Sequence, residues 1–268
     1  MRLPALFLAL SILFAAACGS SSDPAGSGGD AGNAGTGNSG NSGTGNGGNS
    51  GTGNGGTGGA GAGPGTSCGE AEMHAGDGTF YGADGSGNCS FDPTGDLMVA
   101  AMNHTDYAGS AACGACAHIV GPSGEVTVRI VDRCPECPQG DIDLSAEAFE
   151  KIADPSLGRV DIQWSYVPCD VAGPIVYHFK EGSNQWWTAV QIRSSRYAIS
   201  RFEVEKNGAF VEVGRLDYNY FVDDAGMGPG PYTFRVTDVE GNVLTDSGVP
   251  FIEAGDAPGA AQFPACAP

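Results

Sequence analysis

Basic side chains are scarce in this chain of 268 residues: 12 Lys and Arg stand against 31 Asp and Glu, a formal charge of −19. Duplex binding needs Lys and Arg to displace phosphate counterions, so this balance argues against nucleic acid, and anionic lipid, as partners. Charged residues make up only 16% of the chain and aromatics 9%, which is thin for a chain folded along its whole length. Long apolar runs are also lacking. The single one, residues 3–17, is too short and too one-sided for a membrane span.

Glycine is abundant instead, with 45 residues, about a sixth of the chain against a usual share of roughly 7%. The excess is local. Residues 19–67 hold 21 glycines among Ser, Asn, Thr and Ala, without an aromatic, and the octad at 41–48 recurs at 49–56. Such a stretch buries nothing in return for the entropy of ordering and reads as a solvated tether, with a reach of about 35–40 Å. A solenoid is excluded because no position of the repeat carries a core side chain.

Residues 1–17 read as a signal peptide: Arg2 precedes the apolar run, and small residues lead to Cys18. Cleavage before Cys18 and acylation of its thiol is the expectation, although Ala15 stands where such sites prefer Leu. An ordinary secretory peptide cut after Ala17 is the alternative. Both imply export, to the cell surface or outer membrane as a lipoprotein or outside the cell if not lipidated. The remaining cysteines, Cys68, Cys89, Cys113, Cys116, Cys134, Cys137, Cys169 and Cys266, are then an even set in an oxidising compartment, suited to disulfides. Cys113-x2-Cys116 and Cys134-x2-Cys137 also match a zinc spacing. The disulfide reading is preferred, with no metal or cofactor expected; the pairing is not readable from sequence.

From Cys68 onward the patterning is that of strands, at 126–132 and 160–167, with one helix after Ser145 whose buried stripe is Ala148, Phe149 and Ile152 and which stops before Pro155. Beyond 171, Asn207-Gly208 and Gly241-Asn242 read as primed hairpin turns in an antiparallel sandwich. Acids and bases number 17 and 4 over 68–170, and 12 and 7 over 171–268. Within the first segment Asp141 and Asp143 sit two apart, so on a strand both face one side, with Ile142 and Leu144 on the other. Asp132 ends a strand that crossing segments can bring near Asp143. Asp77 and Asp84 read as turn residues. His74, His118 and His178 lack ligand spacing.

Gly78-Thr-Phe-Tyr-Gly82, Val131-Asp-Arg-Cys-Pro135, Gly140-Asp-Ile-Asp-Leu-Ser145 and Lys180-Glu-Gly-Ser-Asn-Gln-Trp-Trp187, in that order, resemble bacterial expansins over nearly all of 68–268. The resemblance implies an all-β chain: a six-stranded double-psi β-barrel over 68–170, related to family 45 glycosidases, then an immunoglobulin-like β-sandwich over 171–268 that is a family 63 cellulose-binding module. It implies a monomer that binds cellulose or a related neutral β-glucan and loosens cellulose-containing walls without hydrolysis. Thr79, Asp132 and Asp143 match the family's groove. A fourth groove position, usually Tyr, falls at Cys134, so stacking there is altered or supplied by Tyr81. Trp186, Trp187 and Tyr218 match the family's flat aromatic strip, with Lys180 beside it. Adjacent Trp residues on a strand face opposite ways, so both are exposed only where the strand starts or bulges.

An inverting hydrolase needs a second carboxylate across the substrate. In the hydrolase relatives it lies near Thr79, where this chain offers no acid. The competing reading is a peptidoglycan lytic transglycosylase of the rare lipoprotein A type, with His104 and Asp143 as its pair; a purely cellulose-adhesive surface protein is the third.

Overall fold

Val126, Val128 and Ile130 alternate with polar neighbours, as do Ile142 and Leu144, and a strand with one apolar face is stable only if a partner covers that face. Here the cover is a closed barrel. The computed structural model describes residues 72–265, all within one compact unit. Tether, signal peptide, Cys18, Cys68 and Cys266 lie outside the described residues.

Six strands close the barrel: β1 (His74–Tyr81), β2 (Val99–Asn103), β3 (Cys116–Gly121), β4 (Gly124–Cys134), β5 (Ile142–Ser145) and β6 (Val160–Val167). Their order around it is β1-β5-β2-β4-β3-β6. The pairs β1/β5 and β2/β4 are parallel, and the other four are antiparallel. Ile119, Ile130, Ile142, Leu144 and Trp164 fill the interior with no exposure, and the Trp164 indole donates to the Gly140 carbonyl at 2.8 Å. This is the double-psi barrel expected.

Two helices flank the barrel, α1 (His104–Tyr107) and α2 (Ala146–Ile152). Ser145 caps α2, its hydroxyl accepting from the Ala148 amide at 3.0 Å. Ala148, Phe149 and Ile152 are the buried stripe, as read from the sequence, and Pro155 opens a separate turn of 3-10 helix.

The second half is a two-sheet sandwich. One sheet has the order β10-β9-β13-β14, built from β9 (Ile199–Lys206), β10 (Ala209–Glu212), β13 (Tyr232–Asp238) and β14 (Val243–Val249). The other, β11-β12-β8-β7-β15, uses β7 (Val176–Phe179), β8 (Thr188–Arg193), β11 (Gly214–Arg215), β12 (Phe221–Asp223) and β15 (Asp256–Pro258). Between them Tyr177, Phe179, Phe202 and Phe234 pack with ring centroids 4.9–6.5 Å apart, the tilted spacing that aromatic quadrupoles favour.

Asn207 and Gly208 both have positive φ and join β9 to β10 as the primed turn expected. Gly241-Asn242 does not. The β13–β14 connection is four residues long and is organised by Asp238, whose Oδ1 accepts from the Glu240 and Asn242 amides. Only Gly241 of that pair takes positive φ.

The cysteines resolve into Cys89–Cys113, Cys116–Cys169 and Cys134–Cys137. The zinc spacing is therefore not realised, because Cys113 and Cys116 take partners outside the two CxxC pairs. The Cys116–Cys169 bridge spans 53 residues, a closure that chain entropy values at about 4 kcal/mol, against about 2 for the three-residue Cys134–Cys137 loop.

Candidate functional site

Register brings the candidate groove residues together. Thr79 on β1 pairs with Asp143 on β5, Asp143 pairs with Ala101 on β2, and Ala101 pairs with Asp132 on β4. The four form one row across adjacent strands, so the backbones of Asp143 and Asp132 stand about 9–10 Å apart, two strand spacings. Simple alternation from Val128 and Ile130 would send Asp132 inward. A bulge prevents this: Ala100 pairs with Ile130 but Ala101 with Asp132, leaving Val131 unpaired. The extra residue re-aims Asp132 onto the face shared with Asp143, the use to which bulges beside functional sites are put. Asp132 thus sits two residues inside the end of β4 rather than at its terminus.

Each carboxylate has its own partners. The Thr79 hydroxyl donates to Asp143 Oδ1 at 2.6 Å. Asp132 Oδ1 accepts two backbone amides, from Asn88 at 2.6 Å and Arg133 at 2.8 Å. Gly87 packs so tightly on the Asp132 side chain that any β-carbon there would collide with it. Burial raises the Asp143 pKa; the Thr79 bond opposes this, and the charges of Glu136 and Asp132 add to it. The half-buried Tyr81 phenol is pushed well above its usual range, first by burial and then by the fields of Asp132 and Asp143. Its hydroxyl lies beside Asp132 without completing a well-formed hydrogen bond.

Asp141, on the same side of its segment as Asp143, is buried and committed elsewhere: it accepts from the Asp77 amide at 2.8 Å and lies 3.5 Å from Arg159. Asp77 is a β1 residue paired with Arg159 at 2.8 Å rather than a turn; Asp84 does form one, accepting from the Ser86 amide. Cys134 is buried and bonded to Cys137 and so offers no stacking surface, while Tyr81 is an aromatic side chain beside Asp132 and Asp143. His104 is the exposed first residue of α1, and the group hydrogen-bonded to Asp143 is the Thr79 hydroxyl. His74 stacks on Trp164 at 4.1 Å. His118 lies 3.6 Å from Glu125, and His178 2.6 Å from Asp256.

The raised Asp143 pKa fixes the sign of a pH effect. A carboxyl whose folded pKa exceeds its unfolded value near 3.9 binds its proton more tightly in the folded state, so stability falls as pH rises between the two. Asp143→Asn removes that cost. The variant is expected to melt above the wild type at pH 7, with the difference vanishing below about pH 3, where the wild-type carboxyl is protonated in both states. Equal melting at both pH values would refute the assignment.

The aromatic residues lie on the sandwich. Trp186 and Trp187 close a tight turn between β7 and β8, bridged by reciprocal backbone bonds of Asn184 and Trp187. Asn184 Oδ1 accepts from both Trp amides, at 2.9 and 3.2 Å. The turn, rather than a bulge, frees the pair from strand alternation. Trp186 is 72% exposed, and the half-buried Trp187 donates its indole N–H to Asp224 at 3.2 Å. Gly226 lies under the turn, where a side chain would strike the backbone of Gln185 and Trp186. Tyr218 is half-buried beside Tyr220, with ring centroids 5.8 Å apart, and the Lys180 ammonium sits 5.7 Å from the Tyr220 ring. Sequence reasoning missed Tyr220, which touches both Tyr218 and Lys180, and Gly87 and Asn88, whose small and polar character reads only as turn punctuation.

A closed six-stranded barrel with Asp132 and Asp143 in one row across adjacent strands, followed by a sandwich that carries Trp186, Trp187 and Tyr218, defines a protein of the double-psi barrel class. A family model described as lytic transglycolase matches residues 99–164, from the start of β2 into β6. The chain is 35% identical over 212 residues to Expansin-YoaJ of Bacillus subtilis (strain 168), covering 75% of this chain and 91% of that protein. The crystal structure of apo Clavibacter michiganensis expansin superposes with a TM-score of 0.66 at 30% identity, covering 72% of this chain and 98% of that one. An aspartate-to-asparagine variant of the same expansin, solved in complex with cellohexaose, gives 0.67 at the same identity and coverage. The chain belongs to the expansin family.

Proposed function

We propose that the chain binds cellulose or a related neutral β-glucan and loosens cellulose-containing walls by disrupting noncovalent polysaccharide contacts, without cleaving a glycosidic bond. The observation that carries this is the pairing of Asp143 with a hydroxyl, Thr79, at 2.6 Å. An inverting hydrolase needs a free second carboxylate to activate water. The other acid of the row, Asp132, has one oxygen occupied by two backbone amides, which suits a fixed anion that accepts from sugar hydroxyls better than a base that takes up a proton. The cellohexaose complex of the Clavibacter expansin variant supports a glucan as ligand.

Trp186, Trp187 and Tyr218 act in this reading as the platform of a family 63 module, and Lys180 as a flanking donor. Apolar sugar faces lie on the rings while water is displaced from both. Residues 68–170 and 171–268 are the two modules, held out from the cell by the tether of 18–67. The three disulfides support export to an oxidising compartment; acylation of Cys18 would leave the protein anchored at the surface as a monomer.

The second reading, a peptidoglycan lytic transglycosylase, is favoured by the family model over 99–164. Incubation with purified sacculi separates the two. No loss of turbidity and no anhydromuropeptides are expected. Soluble muropeptides, lost in Asp143→Asn, would overturn the non-lytic reading.

A further inference from the structure

A short path of hydrogen bonds runs from the groove to the aromatic platform. Asn88 donates its amide to Asp132 at 2.6 Å, while its side-chain Nδ2 donates to the Tyr107 hydroxyl and to the Asp217 carbonyl, each at 2.8 Å. Tyr107, fully buried, donates its hydroxyl to the same carbonyl at 2.7 Å. Asp217 directly precedes Tyr218. From the groove acid to the first ring of the platform there is thus one asparagine and one peptide.

The flanks are fixed as well. Ser110, fully buried, donates to the Leu216 carbonyl at 2.8 Å, and its own carbonyl accepts from Arg215 at 3.0 Å. Gln191 and Asn219 both donate to the Cys89 carbonyl, at 2.9 and 3.2 Å. Cys89 is bonded to Cys113, whose sulfur lies 3.3 Å from the Tyr107 hydroxyl. Module interfaces within a chain ordinarily permit relative motion. Directional bonds run both ways across the joint, and those of Asn88, Tyr107 and Ser110 onto the Asp217 and Leu216 carbonyls set the angle at which Tyr218 leaves the barrel. From Tyr218 the chain reaches Asp224, the partner of Trp187, within at most ~20 Å, so the platform runs on from the joint.

We propose that Asn88 and Tyr107 are positioning residues that align the aromatic platform with the Asp132–Asp143 groove so that a single glucan chain is held by both. The proposal rests on the glucan-binding reading above. Two linked sites gain avidity only when the geometry permits both to be engaged, and lose it when it does not.

The test is calorimetric binding of cello-oligosaccharides of increasing length to the full mature chain. Wild type is expected to show a step of about tenfold in affinity once an oligosaccharide is long enough to leave the platform and enter the groove. In Asn88→Ala/Tyr107→Phe the short oligosaccharides bind within about twofold of wild type and the step is lost. Residual dipolar couplings of wild type fit one alignment tensor for both modules, whereas the double variant needs two. A role confined to stability would lower short-oligosaccharide affinity and the melting temperature together and leave the step. If the double variant does not fold, Asn88→Ala alone, which keeps the Tyr107 bond, is expected to lose part of the step. A full step in a folded variant, unchanged couplings, or a wild type that binds short chains without any step would overturn the alignment proposal. A wild type that binds neither oligosaccharides nor insoluble cellulose would overturn the glucan reading itself.

Discussion

Replacing Trp186 and Trp187 together by Ala is expected to abolish retention on insoluble cellulose while far-UV circular dichroism and melting temperature stay at wild-type values. Covering an aromatic side chain contributes about 1.5–3 kcal/mol, so two rings removed from a shared surface should cost at least about a hundredfold in affinity. The fold is spared for a visible reason: Trp186 is 72% exposed, and the turn is held through the Asn184 side chain and backbone, both of which Ala at 186 and 187 leaves intact. Of the pair, Trp187 has the larger structural stake, through its bond to Asp224. Aggregation or unfolding of the double variant would identify the rings as core and remove the platform from the account.

Asp143→Asn is expected to separate binding from loosening. The carboxylate lies in a half-buried groove, where a charge-assisted bond to a sugar hydroxyl is worth about 1.5–3 kcal/mol, and its neutral amide isostere loses much of that. Wall extension should fall at least about tenfold, with cellulose retention falling far less, because the aromatic platform lies on the other module and is untouched. Thr79 retains an acceptor, since the amide oxygen occupies the place of Oδ1. The same variant is the one expected to gain stability at neutral pH, so loss of extension cannot then be ascribed to unfolding. A less stable but more functional wild type is the usual consequence of keeping an ionisable group in a partly dry site. Full extension by Asp143→Asn would take this residue out of the mechanism.

What the sequence made legible was carried by side-chain type. Alternation put Ile142 and Leu144 inside and Asp143 outside, β6 was bounded correctly at 160–167, and the Ser145 cap with its Ala148, Phe149 and Ile152 stripe follows from helix geometry alone. The ordered motifs were enough to name the family and the barrel-plus-sandwich fold. Three things were not legible, each for a physical reason. The bulge at Val131 is a matter of register, and the Val-Asp-Arg sequence reads equally well without it. The disulfides expected are present, but their pairing was not legible, because partners are chosen by Cα separation in the fold, 5.3–5.5 Å here, and not by spacing in the chain. The joint between the modules is made largely on the carbonyls of Cys89, Leu216 and Asp217. Every residue has a carbonyl, so such a joint leaves no signature in residue type.

The central claim is loosening without cleavage, and one measurement bears on it most directly. Heat-inactivated plant wall strips are held under constant load while extension and release of reducing sugar are followed together. The protein is expected to produce sustained creep with no sugar above the buffer control. Sugar released in proportion to creep, or retention on the wall with no creep, would contradict it.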